Sequence, residues 1–270
     1  MNIDAFSTIG EFHKGAFCQD YVRFGKDYII VSDGCSSSPD TDIGSRLVSL
    51  CAENNLKYSS SRVYEHEFVT DILVHQTMTD ARRMAKELSL DESCLDATLL
   101  VAQVFPEKKK LAFMMCGDGF VFWKLKDKAP VIIQVEFSQN APYYPTLETC
   151  AGFKVQWKHA FPDNKMQFIQ HGQEKIPLDL SRTEPSVFDG VMSTDDLEWF
   201  GLSTDGLGSF HVDNPNGVQI DKLFGEIFDF KSMAGAFLQR RMNRMMKMWR
   251  EGGFINMDDI SLAMMYYFGE

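Results

Sequence analysis

Apolar residues are grouped along the chain in short runs separated by turn residues, a pattern typical of β-strands. Two such runs, residues 97–104 and 111–115, flank a charged turn with a proline at residues 105–110, which predicts a hairpin. Comparable runs predict further strands at residues 5–10, 27–32, 120–125, 131–137, 197–203 and 260–268. Because the central strands follow one another through tight turns, we expect mostly antiparallel sheets.

Helical spacing of apolar residues occurs before and after this strand-rich centre. Asp40 or Thr41 is suited to cap a helix with apolar residues at 43, 47, 50 and 51 on one face. Further helices are predicted at residues 64–88, 218–230 and 232–249, and Gly252 is predicted to end the last of them. Residues 139–149 carry two prolines and are predicted to form a loop, and residues 157–184 are ambiguous apart from a strand at 167–170.

The size and composition of the chain fit one large globular domain. It has 270 residues, of which 44% are hydrophobic and 13% aromatic, ample for a large core. No internal repeat or linker is evident, so we expect a single domain over residues 1–270. The net charge of −11 and the pI of about 5.0 argue against nucleic acids and anionic membranes as partners, because both attract basic surfaces.

The sequence shows no sign of export. Residues 1–10 lack the basic and apolar segments of a signal peptide, and no apolar run approaches the roughly 20 residues that span a bilayer. The six cysteines include no Cys-x-x-Cys pair, which argues against a structural zinc site. We therefore expect a cytoplasmic protein with free thiols.

Acidic residues stand where apolar runs begin or end. Asp33 follows residues 28–31, Asp205 follows residues 197–202, and Asp258 precedes residues 260–268. Asp20 lies shortly before the first of these runs. Carboxylates at the ends of buried strands are costly unless they are paired or bind a cation. Several of them from distant parts of the chain predict one site for a hard metal ion such as Mg²⁺ or Mn²⁺.

Five motifs in this order resemble those of the metal-dependent serine/threonine protein phosphatases of the type 2C family, in its bacterial branch. They are residues 15–20, Val31-Ser32-Asp33-Gly34, residues 96–101 followed by Cys116-Gly117-Asp118-Gly119, Ser203-Thr204-Asp205-Gly206 and Asp258-Asp259-Ile260-Ser261. The resemblance covers nearly the whole chain and implies an α+β fold, a four-layer α-β-β-α sandwich of two mostly antiparallel sheets flanked by helices. It also implies a hydrolase that removes phosphate from phosphoserine and phosphothreonine on proteins.

The resemblance further implies a site for two Mn²⁺ or Mg²⁺ ions. The corresponding metal ligands are Asp20, Asp33, Gly34, Asp118, Asp205 and Asp258. Among them Asp33 resembles the carboxylate that bridges both ions, and Asp118 the acid that holds a third, looser ion. In the family a metal-activated water attacks phosphorus in line without a covalent intermediate, so Asp33 and Asp205 count as catalytic. Asp259 is expected to hydrogen-bond locally instead of binding metal.

One position departs from the family pattern. Many members carry an arginine a few residues before the first acid, where it binds the substrate phosphate, but the first arginine here is Arg23. His13 and Lys14 occupy that neighbourhood and are candidate catalytic residues that hold the phosphate, Lys14 as a point charge and His13 as a donor when protonated. Two rivals stay open: a weak or inactive relative that binds metal or a partner, and an acidic cation-binding protein of another fold. The oligomeric state is not defined by the sequence.

Overall fold

The structure, a computed structural model, describes residues 1–59, 70–172, 184–212 and 220–267. The strands in this part of the chain are β1 (Asn2–Thr8), β2 (Tyr21–Phe24), β3 (Tyr28–Ser32), β4 (Leu99–Phe105), β5 (Lys110–Cys116), β6 (Gly119–Leu125), β7 (Val131–Phe137), β8 (Met166–His171), β9 (Phe188–Ser193), β10 (Leu197–Ser203), β11 (Phe210–Val212), β12 (Phe254–Asn256) and β13 (Ile260–Tyr266). The helices are α1 (Thr41–Ser59), α2 (Thr70–Glu87), α3 (Pro145–Thr149), α4 (Ala151–Ala160), α5 (Ile220–Phe228) and α6 (Phe237–Glu251).

Two large antiparallel sheets form the centre of the molecule. The first has six strands in the order β1-β13-β10-β6-β7-β8, and the second has five in the order β2-β3-β4-β5-β9. Strands β11 and β12 make a separate two-stranded sheet. Every strand pair is antiparallel, as the tight turns of the sequence predicted.

The helices cover the outer faces of the two sheets. Helices α1 and α2 pack together, and α1 lies against β2 and β3 of the five-stranded sheet. Helices α5 and α6 share a second apolar core with the six-stranded sheet. Strands β10 and β13 face β3 across the middle of the sandwich. This mixed helix and sheet architecture confirms the predicted fold class. Since both faces of β3 and β4 are covered, these strands are buried almost throughout and show no alternation, with one polar residue each, Ser32 and Gln103.

Several elements escaped the sequence prediction. Residues 139–149 were expected to form a loop, but they contain α3, whose first position is a proline. Helix α4 was not predicted, and the expected strand at residues 167–170 is β8. Strands β2 and β9 were also missed, because both are only partly buried and carry polar residues within them. Residues 64–69 and 218–219 of two predicted helices lie outside the described residues.

Helix α6 begins at Phe237, five residues later than its apolar spacing predicted. The preceding residue, Ala236, has no side chain that can cap a helix. Asp4 on β1 takes over this role, because its Oδ2 accepts hydrogen bonds from the backbone N–H groups of Leu238 and Gln239 at 2.7 and 3.0 Å. The start of the helix is therefore set by a residue 234 positions away in the sequence.

Glu53 on α1 is the centre of a polar network between this helix and the five-stranded sheet. Its carboxylate accepts hydrogen bonds from Nε and Nη2 of Arg23 at 3.0 and 2.8 Å and from the Tyr28 hydroxyl at 2.5 Å. Burial alone would raise the pKa of Glu53, but the hydrogen bonds that it accepts outweigh burial and hold the pKa below its ordinary 4.5. The ionised carboxylate therefore ties β2 and β3 to α1.

Replacing Glu53 by Gln removes the charge from this network while keeping the size of the side chain. We expect E53Q to lose about 1.5–3 kcal/mol of unfolding free energy at pH 7, the range for hydrogen bonds to a charged group. Because the pKa is lower in the folded state, this stability is present above pH 4.5 and is lost as the pH falls through the folded-state pKa. Urea unfolding at pH 7 and at about pH 3 measures both effects.

The matched control is E251Q, which changes an exposed pair in which Lys247 Nζ lies 3.9 Å from Glu251 Oε1. Exposed pairs contribute little, so we expect a change within about 0.5 kcal/mol. An E53Q protein as stable as the control at pH 7 would contradict the structural role of Glu53.

Candidate metal centre

Five of the predicted acids meet at one end of the two sheets. We call Asp20, Asp33, Asp118, Asp205 and Asp258 the acidic cluster. Asp20 and Asp33 flank the paired strands β2 and β3, whereas Asp205 and Asp258 flank the paired strands β10 and β13. Asp118 lies in the turn that connects the five-stranded sheet to the six-stranded one. The motifs therefore converge because the strand ends that carry them lie together.

The turn at Asp118 depends on the two glycines beside it. Gly117 and Gly119 have φ values of +111° and +131°, which side-chain-bearing residues rarely adopt. A Cβ at Gly117 would lie 2.5 Å from Cγ2 of Thr98, and one at Gly119 would lie 2.5 Å from the carbonyl oxygen of Ser203. The pair of glycines thus lets the chain pass between the sheets and present Asp118 to the other acids.

Asp33 lies between two other carboxyls. The side chains of Asp20 and Asp205 are both within hydrogen-bonding reach of the Asp33 carboxyl. Burial raises the pKa of all three groups above the ordinary range, and repulsion between neighbouring carboxylates adds to it. Three acids this close cannot all be ionised without a compensating positive charge.

Two oxygen atoms in this group lack a donor. Oδ1 of Asp20 and Oδ1 of Asp205 are buried, and neither accepts a hydrogen bond. Buried polar atoms are nearly always bonded, so orphaned acceptors beside like charges fit a cation that is bound through oxygen. Among the described residues, no group of three or more His, Cys, Asp and Glu side chains forms a ready-made metal ligand set. The acids instead contact one another.

Backbone and hydroxyl groups fix the orientation of the central acids. Thr98 holds Asp33 through two bonds, one from Asp33 N–H to its Oγ1 at 2.9 Å and one from its own N–H to the Asp33 carbonyl at 2.8 Å. The Thr204 hydroxyl donates to Oδ2 of Asp20 at 2.8 Å and accepts from the Ser261 N–H at 3.0 Å. These partners come from neighbouring strand ends, so the acids are positioned by the sheets.

Gly34 follows Asp33 in a tightly packed segment. Its N–H donates to the carbonyl of Gln19 at 3.1 Å, and a Cβ at this position would lie 2.6 Å from the carbonyl oxygen of Thr41. Only glycine fits here without moving the backbone of α1. This close packing fixes the position of the Gly34 backbone relative to α1 and to Gln19.

Glu136 on β7 is an acid that the sequence analysis did not single out. Burial and the nearer acids raise the pKa of Asp118 and Asp205 most, and the charge of Glu136 adds a smaller increase to both. Its carboxylate accepts a hydrogen bond from Nε2 of Gln134 at 2.5 Å. The signal was present in the sequence, since Glu136 is the sole charged residue of an otherwise apolar and amide-bearing strand.

Asp259 holds the segment between β1 and β2 against β13. Its Oδ1 accepts from the N–H of Gly10 and its Oδ2 from the N–H of Gln19, both at 2.7 Å. The prediction that Asp259 bonds locally is therefore wrong, because these partners are 249 and 240 residues away. Asp258 is left beside Asp205 and raises the pKa of that group.

The two predicted phosphate-binding cations each have a carboxylate neighbour. His13 Nδ1 lies 3.0 Å from Oδ2 of Asp259 and 3.6 Å from Oδ1 of Asp258, although it is not aligned for a hydrogen bond. Lys14 pairs through Nζ with Glu11 one turn earlier. His13 thus lies beside the acidic cluster, whereas the described contact of Lys14 is with Glu11.

A known protein family matches most of the chain. The model of the protein phosphatase 2C family matches residues 10–247 of the chain. The chain therefore belongs to the protein phosphatase 2C family, whose members are serine/threonine protein phosphatases and thus hydrolases. None of the curated proteins searched matches it.

Solved structures of bacterial phosphatases share the fold. The serine/threonine phosphatase Stp1 from Staphylococcus aureus has a TM-score of 0.55 and 13% identity, covering 100% of this chain and 96% of its own. The PPM Ser-Thr phosphatase MsPP from Mycobacterium smegmatis, in complex with cacodylate, has a TM-score of 0.56 and 14% identity over 99% of both chains. The catalytic domain of the phosphatase PstP, in complex with two manganese ions, gives 0.52 and 14% over 97% and 96%.

The acidic cluster predicts a metal-dependent change in stability. With chelator present, D33N should melt at or above the temperature of the unsubstituted protein, because one of three mutually repelling carboxyls has gone. Mn²⁺ at a hundred times its dissociation constant should stabilise the unsubstituted protein by about 2.7 kcal/mol and D33N by much less. Thermal unfolding with chelator and with Mn²⁺ measures both.

D195N serves as the control, because Asp195 is an exposed turn acid that pairs with Lys109. It should gain as much from Mn²⁺ as the unsubstituted protein does. An equal gain for D33N would show that Asp33 does not hold the metal.

Proposed function

We propose that this chain is a metal-dependent phosphatase that hydrolyses phosphoserine and phosphothreonine on proteins at a site for two Mn²⁺ or Mg²⁺ ions. The observation that carries the proposal is the contact of Asp20, Asp33 and Asp205, which includes two buried oxygens without donors. An unpaired cluster of this kind is costly in a folded protein unless a cation offsets it. Family membership makes phosphate monoester hydrolysis the chemistry that such a cation would serve.

The residues that would hold the ions are Asp20, Asp33, Gly34, Asp118, Asp205 and Asp258. Ions held there would supply a water of lowered pKa and would neutralise charge on the phosphoryl oxygens. Hydrogen bonds within the chain fix the positions of these ligand residues. Thr98 holds the backbone of Asp33 from both sides, and Thr204 orients the carboxyl of Asp20. Fixed oxygen ligands need no reorganisation during the reaction, which is the basis of electrostatic catalysis.

The test of this proposal is turnover. Hydrolysis of an aryl phosphate and of a phosphothreonine peptide should require Mn²⁺ or Mg²⁺ and should stop with exhaustive chelation. D33N and D205N should each lower kcat by about 100-fold or more, through loss of electrostatic stabilisation of the transition state. D195N is the control and should keep the rate of the unsubstituted protein. Activity that survives chelation would overturn the two-ion proposal.

The alternative is a weak or inactive relative that binds metal or a partner. It is favoured by one observation, namely that Lys14 and His13 both have carboxylate neighbours and no arginine precedes Asp20. An inactive relative would gain stability from Mn²⁺ but would hydrolyse neither substrate. The combination of thermal unfolding and turnover therefore separates the two functions.

His13 and Lys14 are kept as proposed contacts of the substrate phosphate. Lys14 is 55% exposed and its pair with Glu11 is a surface pair, which costs little to break. We expect H13A or K14A to raise KM more than it lowers kcat, the signature of lost uniform binding. Steady-state kinetics with an aryl phosphate measures this, and E251Q is a surface-charge control. Unchanged kinetics in the double variant would exclude both side chains.

The remaining features of the proposal concern the whole chain. We take residues 1–270 as one phosphatase domain that acts on phosphorylated proteins, with no nucleic acid or membrane as a partner. A cytoplasmic location is supported by the cysteines, since all six are free thiols and none forms a disulfide. In the described residues, no helix has the length and apolar character needed to cross a bilayer.

A further inference from the structure

A groove of about 430 Å³ lies between α6 and β1, the edge strand of the six-stranded sheet. Phe6 and Met246 line the groove and are buried, whereas Lys247 and Arg250 line it and are exposed to solvent. Thr8, at the end of β1, is a further part of its lining. The groove therefore combines apolar side chains with two cations that an incoming ligand can reach.

Helix α6 is a basic element in an acidic chain. Five basic residues and one acid give it a net charge of +4, so the rest of the chain, whose total is −11, carries −15. Among the described residues, Arg244 and Arg250 take part in no ion pair, and the pair of Lys247 with Glu251 is exposed and 3.9 Å long. Exposed pairs contribute little, so Glu251 offsets only a small part of the positive charge beside the groove.

The stability of α6 accounts for part of this charge and leaves the rest unexplained. The helix dipole favours a cation in the last turn, where Arg250 lies, but Arg244 and Lys247 come earlier. Six apolar residues of the helix are buried in the core, which leaves Met248 as its one exposed apolar side chain, so α6 has no apolar face to insert into a membrane. The charge of −15 elsewhere opposes a polynucleotide, which needs a broad basic surface. A short acidic segment of protein is the ligand that matches a small basic groove.

The groove lies close to the acidic cluster. Thr8 is paired with Ile260 across the sheet, and Ile260 follows Asp258 by two residues. Paired Cα atoms are at most about 5.5 Å apart and two residues of chain span at most about 7 Å, so the Cα atoms of Thr8 and Asp258 lie within about 13 Å of each other. An extended peptide covers this distance in about four residues. A peptide whose phosphoryl group lies at the acidic cluster can therefore place acidic side chains about four positions away in the groove.

We propose that the groove between α6 and β1 docks an acidic segment of the phosphorylated protein substrate, and that Lys247 and Arg250 determine this preference. The inference rests on the proposed phosphatase function. Its physical reason is that an acidic chain repels an anionic substrate at long range, whereas a basic groove beside the acidic cluster attracts the acidic flank and fixes its direction. The favoured substrates are phosphoserine and phosphothreonine sites flanked by Asp and Glu.

The experiment uses the full chain and two phosphothreonine peptides that carry, from the third residue outward on both sides, either Glu or Gln. Fluorescence anisotropy with chelator present gives Kd for labelled, unphosphorylated forms of both peptides, and steady-state kinetics with Mn²⁺ gives kcat/KM for the phosphorylated forms. We expect the unsubstituted chain to bind the Glu peptide about fivefold more tightly than the Gln peptide and to prefer it in kcat/KM by a similar factor, because exposed ion pairs are each modest in strength. In K247A/R250A both preferences should fall to within about twofold.

The matched control is K110A/K128A, which also removes two cations. Lys110 and Lys128 are exposed, and they lie at the start of β5 and in the turn after β6, at the ends of these strands away from Asp118. The control tests whether net charge alone sets the preference, and we expect it to keep the full preference. Thermal unfolding shows whether each variant is folded, and R250Q repeats the comparison if K247A/R250A is not.

Equal binding of the Glu and Gln peptides by the unsubstituted chain, or an equal loss of preference in the control, would overturn the inference. An oligonucleotide that binds more tightly than the Glu peptide and loses this affinity in K247A/R250A would overturn it as well. Binding of the Glu peptide through Lys247 and Arg250 without turnover of either phosphopeptide would support the docking surface and contradict the proposed phosphatase function. Turnover of both phosphopeptides at equal kcat/KM, with no difference in binding, would do the reverse.

Discussion

Repulsion between buried carboxylates is the constraint that the rest of this fold has to offset. Asp20, Asp33 and Asp205 are brought together by strand ends from two different sheets, although their charges oppose this. The apolar cores on both sides of the strands provide the opposing force, because apolar burial is the main favourable term in folding. The acidic cluster therefore lowers the stability of the folded state, and the two apolar cores offset this loss. Such an arrangement is common where buried charge serves a function.

Two further aspartates have a structural role, because each joins segments that are far apart in the chain. Asp4 caps α6 and Asp259 receives two backbone N–H groups of the segment before β2. Both acids are buried and fully engaged with N–H donors, unlike the acids of the cluster. The contrast between Asp259 and its neighbour Asp258 shows how one motif supplies a structural acid and a candidate ligand in adjacent positions.

Much of this could be predicted from the sequence, for physical reasons that differ between elements. Strands β3, β4 and β13 are covered on both faces and apolar at all but one position each, so their pattern stands out. Strand β9 contains Asp189 and Gly190 and lies at an edge, so it has no such pattern. The partners of Asp259 could not be predicted, because they come from segments that are far apart in the chain.

The position of Asp259 has a consequence for how the protein folds. Its two N–H partners are Gly10 and Gln19, near the other end of the chain, and β13 is the strand that joins β1 to β10. A fragment without residues 258–266 therefore lacks an interior strand of the six-stranded sheet, together with Asp258. Contacts of such long sequence separation form slowly. The five acids therefore meet only in a chain that includes β13, and a fragment without this strand cannot form the whole acidic cluster.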